Sequence, residues 1–176
     1  MSLFLVETPL EGISTEQGLE AKTNQLQEAV QKQEGNLIEV QVSKDFSRAF
    51  LIFESDDEEV LTGTLQQNGI EPELVKHVRL VGKDLEEVKR QASNVNYLVQ
   101  WNLPEDLSME DYLARKKKNS VHYADVPEVS FERTYVCEDM SKCLCFYDAP
   151  DEDAVQRARE AVKTPVDSIT EISKEK

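Results

Sequence analysis

One pattern occurs twice in this chain, and it restricts the fold more than any single motif does. Residues 36–59 read NLIEVQVSKDFSRAFLIFESDDEE, and residues 130–153 read SFERTYVCEDMSKCLCFYDAPDED. Each has two short apolar runs joined by turn residues, the signature of a hairpin. Each then carries acidic residues where a helix would begin, the end that favours negative charge. Asp45 and Asp139, Ser47 and Ser141, Phe53 and Tyr147, and Asp57 and Asp151 all stand 94 positions apart, and Val75 and Ile169 keep the same shift. A period this long exceeds most solenoid repeats and spans a whole β-α-β-β-α-β unit.

The flanking residues complete both units. In the first, Leu3–Glu7 predicts a strand, and Ser14 with Gln17 three places on has capping-box spacing. Leu19, Leu26, Ala29 and Val30 continue that helix at helical spacing. Leu37–Val42 and Arg48–Glu54 are the hairpin strands, Asp56 and Asp57 open the second helix, and Val75–Val81 is the last strand. In the second unit the strand Tyr97–Trp101 precedes a helix capped by Ser108. The hairpin strands are Phe131–Val136 and Lys142–Tyr147. A helix with Ala154, Val155, Ala158, Ala161 and Val162 inward follows, and Ser168–Ile172 closes the unit. The reading is an α+β chain of two tandem ferredoxin-like units, residues 1–81 and 97–176, with a charged linker at 82–96.

A unit of about 80 residues buries a modest share of its surface. Two helices cover one sheet face, so the other face needs water or a partner. Phe50 and Ile52, with Leu144 and Phe146, suit the helix-covered face. Ala49, Leu51 and Phe53 are then too apolar for open water. The sheets are therefore expected to face each other as an intrachain pseudo-dimer of the dimeric α/β-barrel kind, with side-by-side sheets as the competing arrangement.

Composition narrows the function classes. The net charge of −15 opposes nucleic-acid and anionic-membrane binding. No run approaches the ~20 apolar residues of a membrane span, and the first residues lack a basic leader, so a cytoplasmic address is expected. The three cysteines, an odd number within nine residues, read as thiols or ligands.

Candidate site residues concentrate in the second unit. Alternation puts Cys143, Cys145 and Tyr147 on one strand face, expected at the inter-sheet seam, with Arg133, Tyr135 and Cys137 beside them. Arg133, Tyr135, Cys145 and Tyr147 are the expected small-ligand contacts. Cys143 and Cys145, roughly 6.5–7 Å apart along an extended strand, are too far for a relaxed disulfide. They could share a soft metal with Cys137 or His122. The basic run Arg115–Lys118 reads as a solvated face, an ion pair or an anion contact. No phosphate loop, serine elbow or HExxH is present.

Tyr135-Val136, Glu138-Asp139, Lys142, Cys145, Tyr147, Asp148–Glu152, Ala154-Val155, Thr164–Asp167 and Ile169–Ile172 together resemble the DUF4242 family, described as nickel-binding-protein-like. The resemblance covers Tyr97–Ile172 well and Leu3–Val81 more loosely. It implies a ferredoxin-like fold, pairing of single-copy members, and a divalent metal such as nickel as a candidate cofactor.

Three functions follow as expectations. The first is small-ligand or metal binding between the sheets on the C-terminal side, with His122, Cys143 and Cys145 as metal donors. The second is a cofactor-free isomerase or oxygenase of the dimeric α/β-barrel type. The third is an acidic module that binds a basic protein. The chain is expected as a monomer or homodimer.

Overall fold

A computed structural model of the chain describes residues 2–10, 12–13, 15–90 and 95–172. The elements run β1 (Ser2–Pro9), α1 (Glu16–Gln31), β2 (Asn36–Val42), β3 (Arg48–Ser55), α2 (Glu58–Gln67), β4 (Leu74–Val81), α3 (Leu85–Arg90), β5 (Tyr97–Asn102), α4 (Met109–Asn119), a 3-10 segment (Ser120–Asp125), β6 (Ser130–Cys137), β7 (Lys142–Asp148), α5 (Glu152–Ala161) and β8 (Ser168–Glu171). They fall into two compact units. The first holds β1–β3, α1–α3 and most of β4; the second holds residues 79–84 and everything from β5 to β8. Strand order is β2-β3-β1-β4 in the first and β6-β7-β5-β8 in the second, the ferredoxin-like order twice. The fold class is the α+β class expected. The stretch 82–96 is more than a tether, because it contains α3. That helix is six residues long and buries Val88 completely, too little apolar pattern to be read from sequence.

The matched residues do matched work. Asp45 Oδ1 accepts from the Ser47 backbone N–H at 3.0 Å, and Asp139 Oδ1 accepts from that of Ser141 at 3.0 Å. Between them Phe46 and Met140 both take a positive φ, 58° and 62°. Asp57 and Asp151 cap α2 and α5, each accepting from N–H groups of the first turn. At the far ends, Gly69 (φ 82°) and Lys163 (φ 55°) turn the chain left-handed. Ile70 N–H then reaches the Leu65 carbonyl and Thr164 N–H that of Arg159, both at 2.9 Å. That bond satisfies a carbonyl the helix end would leave open. Ser108 caps α4 as expected, with its Oγ accepting from Asp111 N–H at 3.1 Å. The cap of α1 is Thr15, whose side chain accepts from Gly18 N–H at 3.0 Å; Ser14 lies outside the described residues.

The face assignment inverts the expected one. In the first unit Ala49, Leu51 and Phe53 join Leu19, Leu26, Leu61 and Leu65 of the helices in one core. In the second, Cys143, Cys145 and Tyr147 join Tyr112 of α4 and Ala154, Val155 and Ala158 of α5. Phe50, Ile52, Leu144 and Phe146 point the other way and are also buried. Strands buried on both faces read as near-continuous apolar runs, so alternation says that two faces exist and not which one the helices cover.

Candidate functional site

Register across β6 and β7 decides which side chains meet. Thr134 pairs with Cys145 and Val136 with Cys143, while Arg133 pairs with Phe146 and Tyr135 with Leu144, after a bulge between Phe131 and Arg133. Directly paired residues share a face. The sequence-predicted set Arg133, Tyr135, Cys145 and Tyr147 is therefore split by the sheet. Arg133 and Tyr135 are fully buried on the face away from the helices. There the Arg133 guanidinium lies 5.4 Å from the centre of the Phe146 ring and Tyr135 packs edge-on to it at 6.1 Å. Cys137 has the parity of Arg133 and Tyr135, and burial raises its pKa above the ordinary thiol value. Cys143, Cys145 and Tyr147 lie beneath α4 and α5, not at a seam between sheets.

Helix α5 supplies the residue that sequence reasoning missed. Arg159 follows Ala158 on the inward side and is only 2% exposed. Its Nη1 donates to the Tyr147 hydroxyl at 3.0 Å and reaches Cys145 Sγ at 3.4 Å; Nη2 donates to the Pro165 carbonyl at 2.5 Å. No carboxylate appears among these partners. Among the described residues, Arg159 Nε is a buried side-chain nitrogen without a hydrogen-bond acceptor. A buried guanidinium is ordinarily matched by an anion, because desolvating an uncompensated charge costs several kcal/mol.

Cys145 is the candidate counter-charge. Its sulfur also accepts from Thr134 Oγ1 at 3.2 Å. The Cys143 thiol hydrogen-bonds to it, and Lys116 and Arg159 add positive potential; together these outweigh burial and hold the Cys145 pKa well below the ordinary thiol value. Cys143 moves the opposite way, pushed up by its hydrogen bond to Cys145 and by burial. Tyr147 and Tyr112 are raised by burial and stay neutral. Tyr123, in the 3-10 segment, hydrogen-bonds the Tyr147 hydroxyl at 2.6 Å, and burial pushes its pKa up to about 12. Burial opposes the charge on Arg159, but Cys145 and Tyr147 more than offset it and keep the guanidinium protonated. A thiol whose pKa is lowered, beside one guanidinium and ringed by phenols whose pKa values burial raises, is the resulting pattern.

A small cleft of about 20 Å³ opens onto this group, lined by Tyr112, Arg115, Lys116, Cys145, Arg159 and Thr164 among others. Such a volume holds a water or a ligand of about two or three heavy atoms. Arg115 stacks 5.3 Å from the Trp101 ring and Lys116 4.3 Å from that of Phe131, so both cations are held over aromatic faces. Three cations and no carboxylate line the cleft. The basic run Arg115–Lys118 thus divides: its first two members serve the cleft, and Lys117 and Lys118 are exposed. A larger cleft of about 470 Å³ lies in the first unit, lined by Thr8, Leu10, Lys22, Gln25, Gly69 and Glu71 among others. Lys22 there is engaged by the Asn68 carbonyl, and among the described residues no set of reactive groups converges.

His122 is not brought into this group. Its side chain is 46% exposed and stands 3.7 Å from Asp125 within the 3-10 segment. Among the described residues no three or more His, Cys, Asp or Glu side chains gather to hold a metal ion. No helix is long and apolar enough to cross a membrane.

Residues 97–172 match the model of a family described as nickel responsive protein SCO4226-like. No curated protein matches the chain. Along nearly its whole length it is similar to the crystal structure of a provisionally named chlorite dismutase, TA0507, at 11% identity over 99% of this chain and 96% of that one, with a TM-score of 0.52. A provisionally named monooxygenase from Lactobacillus acidophilus NCFM is similar at 11% identity over 98% of this chain and 94% of that one, with a TM-score of 0.50. SCO4226 from Streptomyces coelicolor A3(2) covers 46% of this chain with 99% of its own length at 17% identity, with a TM-score of 0.40. The two full-length likenesses show the fold, ferredoxin-like units of the dimeric α/β-barrel class. The donors present do not fit the nickel in the family's description. The first strands carry no histidine, and the two clustered thiols already share their surroundings with Lys116 and Arg159, which repel a dication.

Proposed function

We propose that this chain is a small-ligand-binding protein whose ligand is a small anion, taken into the cleft beside Arg159 and Cys145 of the second unit. The observation that carries this reading is the buried Arg159 guanidinium, which has an unmatched Nε and lines a cleft with two further cations and no acid. Even with Cys145 as a thiolate, the lining keeps a net positive charge. The overall charge of −15 does not cancel this, because at physiological salt charges beyond about 8 Å are screened. The family description contributes the expectation that ligand binding, and not structure alone, is the role of this unit. Among the described residues no donor set for nickel gathers.

The test uses the full chain in thermal unfolding with azide, nitrite or bromide against sulfate at equal ionic strength. A ligand that binds only the folded state raises the midpoint in proportion to its saturation. The small anions should raise it and sulfate should not, and Lys116→Gln should remove most of the effect. Equal shifts from all four anions, or a shift unchanged in Lys116→Gln, would exclude this cleft as the binding site.

A further inference from the structure

The same cleft exposes a sulfur to whatever small molecule enters it. Cys145 lines the opening, accepts from Thr134 Oγ1 and Arg159 Nη1, and stands beside the unmatched Arg159 Nε. A sulfur that accepts two hydrogen bonds, one from a guanidinium, has its electron density stabilised for attack on an electrophile. The cleft's volume of about 20 Å³ then selects the electrophile by size. A disulfide, a quinone or an alkyl hydroperoxide is too large. A molecule of two heavy atoms fits.

We infer that Cys145 is oxidised by hydrogen peroxide at this cleft, which makes the second unit a peroxide-responsive thiol site. The inference rests on the reading above only in that the cleft admits small polar solutes. The sulfur attacks the nearer peroxide oxygen and the O–O bond breaks. The departing oxygen takes a proton and leaves as water. Cys145 becomes a sulfenic acid, sulfur having lost two electrons and the peroxide having gained them. Arg159 and Lys116 supply positive charge where the leaving oxygen turns negative. The Cys143 thiol hydrogen-bonds Cys145, but a Cα separation of roughly 6.5–7 Å along extended β7 lies at the limit for a disulfide, so the sulfenic acid is the first oxidised product.

Cys137 is the internal reference: a buried thiol of the same chain whose surroundings raise its pKa and which does not line the cleft. Reduced full-length protein is exposed to hydrogen peroxide, quenched, digested and mapped by mass spectrometry for oxygen addition at each cysteine, with Cys143→Ala used to remove ambiguity on the shared peptide. Cys145 should gain oxygen about tenfold faster than Cys137, in line with the reactivity spread between activated and inert buried thiols. tert-Butyl hydroperoxide should lose that preference. Thr134→Val, which keeps side-chain volume, should slow Cys145 alone, and Arg159→Met should slow it further. Equal rates at Cys145 and Cys137, or an equal preference with the bulky peroxide, would overturn the inference. Should Arg159→Met fail to fold, Thr134→Val and the reference thiol still decide the result. Azide protecting Cys145 would support both readings. Selective oxidation untouched by azide would leave the inference standing and remove the anion reading, and azide binding without selective oxidation would do the reverse.

Discussion

The two units place different chemistry on one scaffold. Beneath the helices of the first, Leu51 and Leu65 belong to a core of hydrocarbon side chains. At the positions 94 further on, Cys145 and Arg159 meet at 3.4 Å. Their neighbours follow suit: Ala49 and Phe53 answer to Cys143 and Tyr147, and Val40 to Thr134. The turns and caps around these positions are alike in both units, down to the positive φ of Phe46 and Met140. Identical backbone devices with different fillings indicate that the polar filling is not a requirement of the fold. A hydrocarbon core already satisfies the first unit, so the thiols, phenols and guanidinium of the second call for another explanation.

Importing the guanidinium into the first unit should have the largest effect. Leu65→Arg buries a charge in a core with no thiolate or phenol to receive it. The expected cost is about 5 kcal/mol or more, enough to unfold that unit. Urea unfolding followed by circular dichroism measures it. A cost under about 1 kcal/mol would mean that either core accepts a charge, and the comparison would lose its force.

Emptying the second core should come next. Arg159→Ala strands the Cys145 charge and is expected to cost about 3–5 kcal/mol, as for breaking one side of a buried pair. Adding Cys145→Ala removes the stranded charge and should recover part of that loss, although it opens further space. Additive losses in the double variant would show that the two side chains do not act as a pair.

The smallest of these effects is a dependence on pH. Tyr123 has a folded pKa raised to about 12 from an ordinary 10.0. A raised pKa contributes stability that is complete below the unfolded value and is lost as pH climbs through the folded one. Stability should therefore fall between about pH 10 and 12, by up to roughly 2 kcal/mol from this residue. Tyr112 and Tyr147 add slope of the same sign, so the comparison is between wild type and Tyr123→Phe, whose decline should be shallower. Matching declines would show that burial does not raise the Tyr123 pKa in the folded state.

Much of the fold could be read from the sequence because its devices are local. An Asp at a helix start, an Asp-x-Ser turn and an apolar run each carry their geometry with them, and the 94-residue shift ties them together. The site was less legible. Cys143, Cys145 and Tyr147 could be singled out by residue type, but their face could not, since Leu144 and Phe146 are as apolar as the positions the helices cover. Arg133 and Tyr135 do lie on the helix-free face expected for them, but not beside Cys145 and Tyr147: the bulge after Phe131 sets the register between β6 and β7, and no residue announces it. Arg159 was missed because an arginine on a helix ordinarily reads as solvent-facing. Its two signals were the spacing from Val155, four residues back on the inward side of α5, and the match to the apolar Leu65 in the other unit.

The central claim is that the second core holds a charged sulfur beside Arg159. Thiolate ultraviolet absorbance, titrated in wild type and in Cys145→Ser, tests it most directly. One cysteine should be ionised at neutral pH and take up a proton only well below the ordinary thiol pKa of about 8.5, and that step should vanish in Cys145→Ser. Three thiols that all ionise at or above the ordinary value would contradict the account.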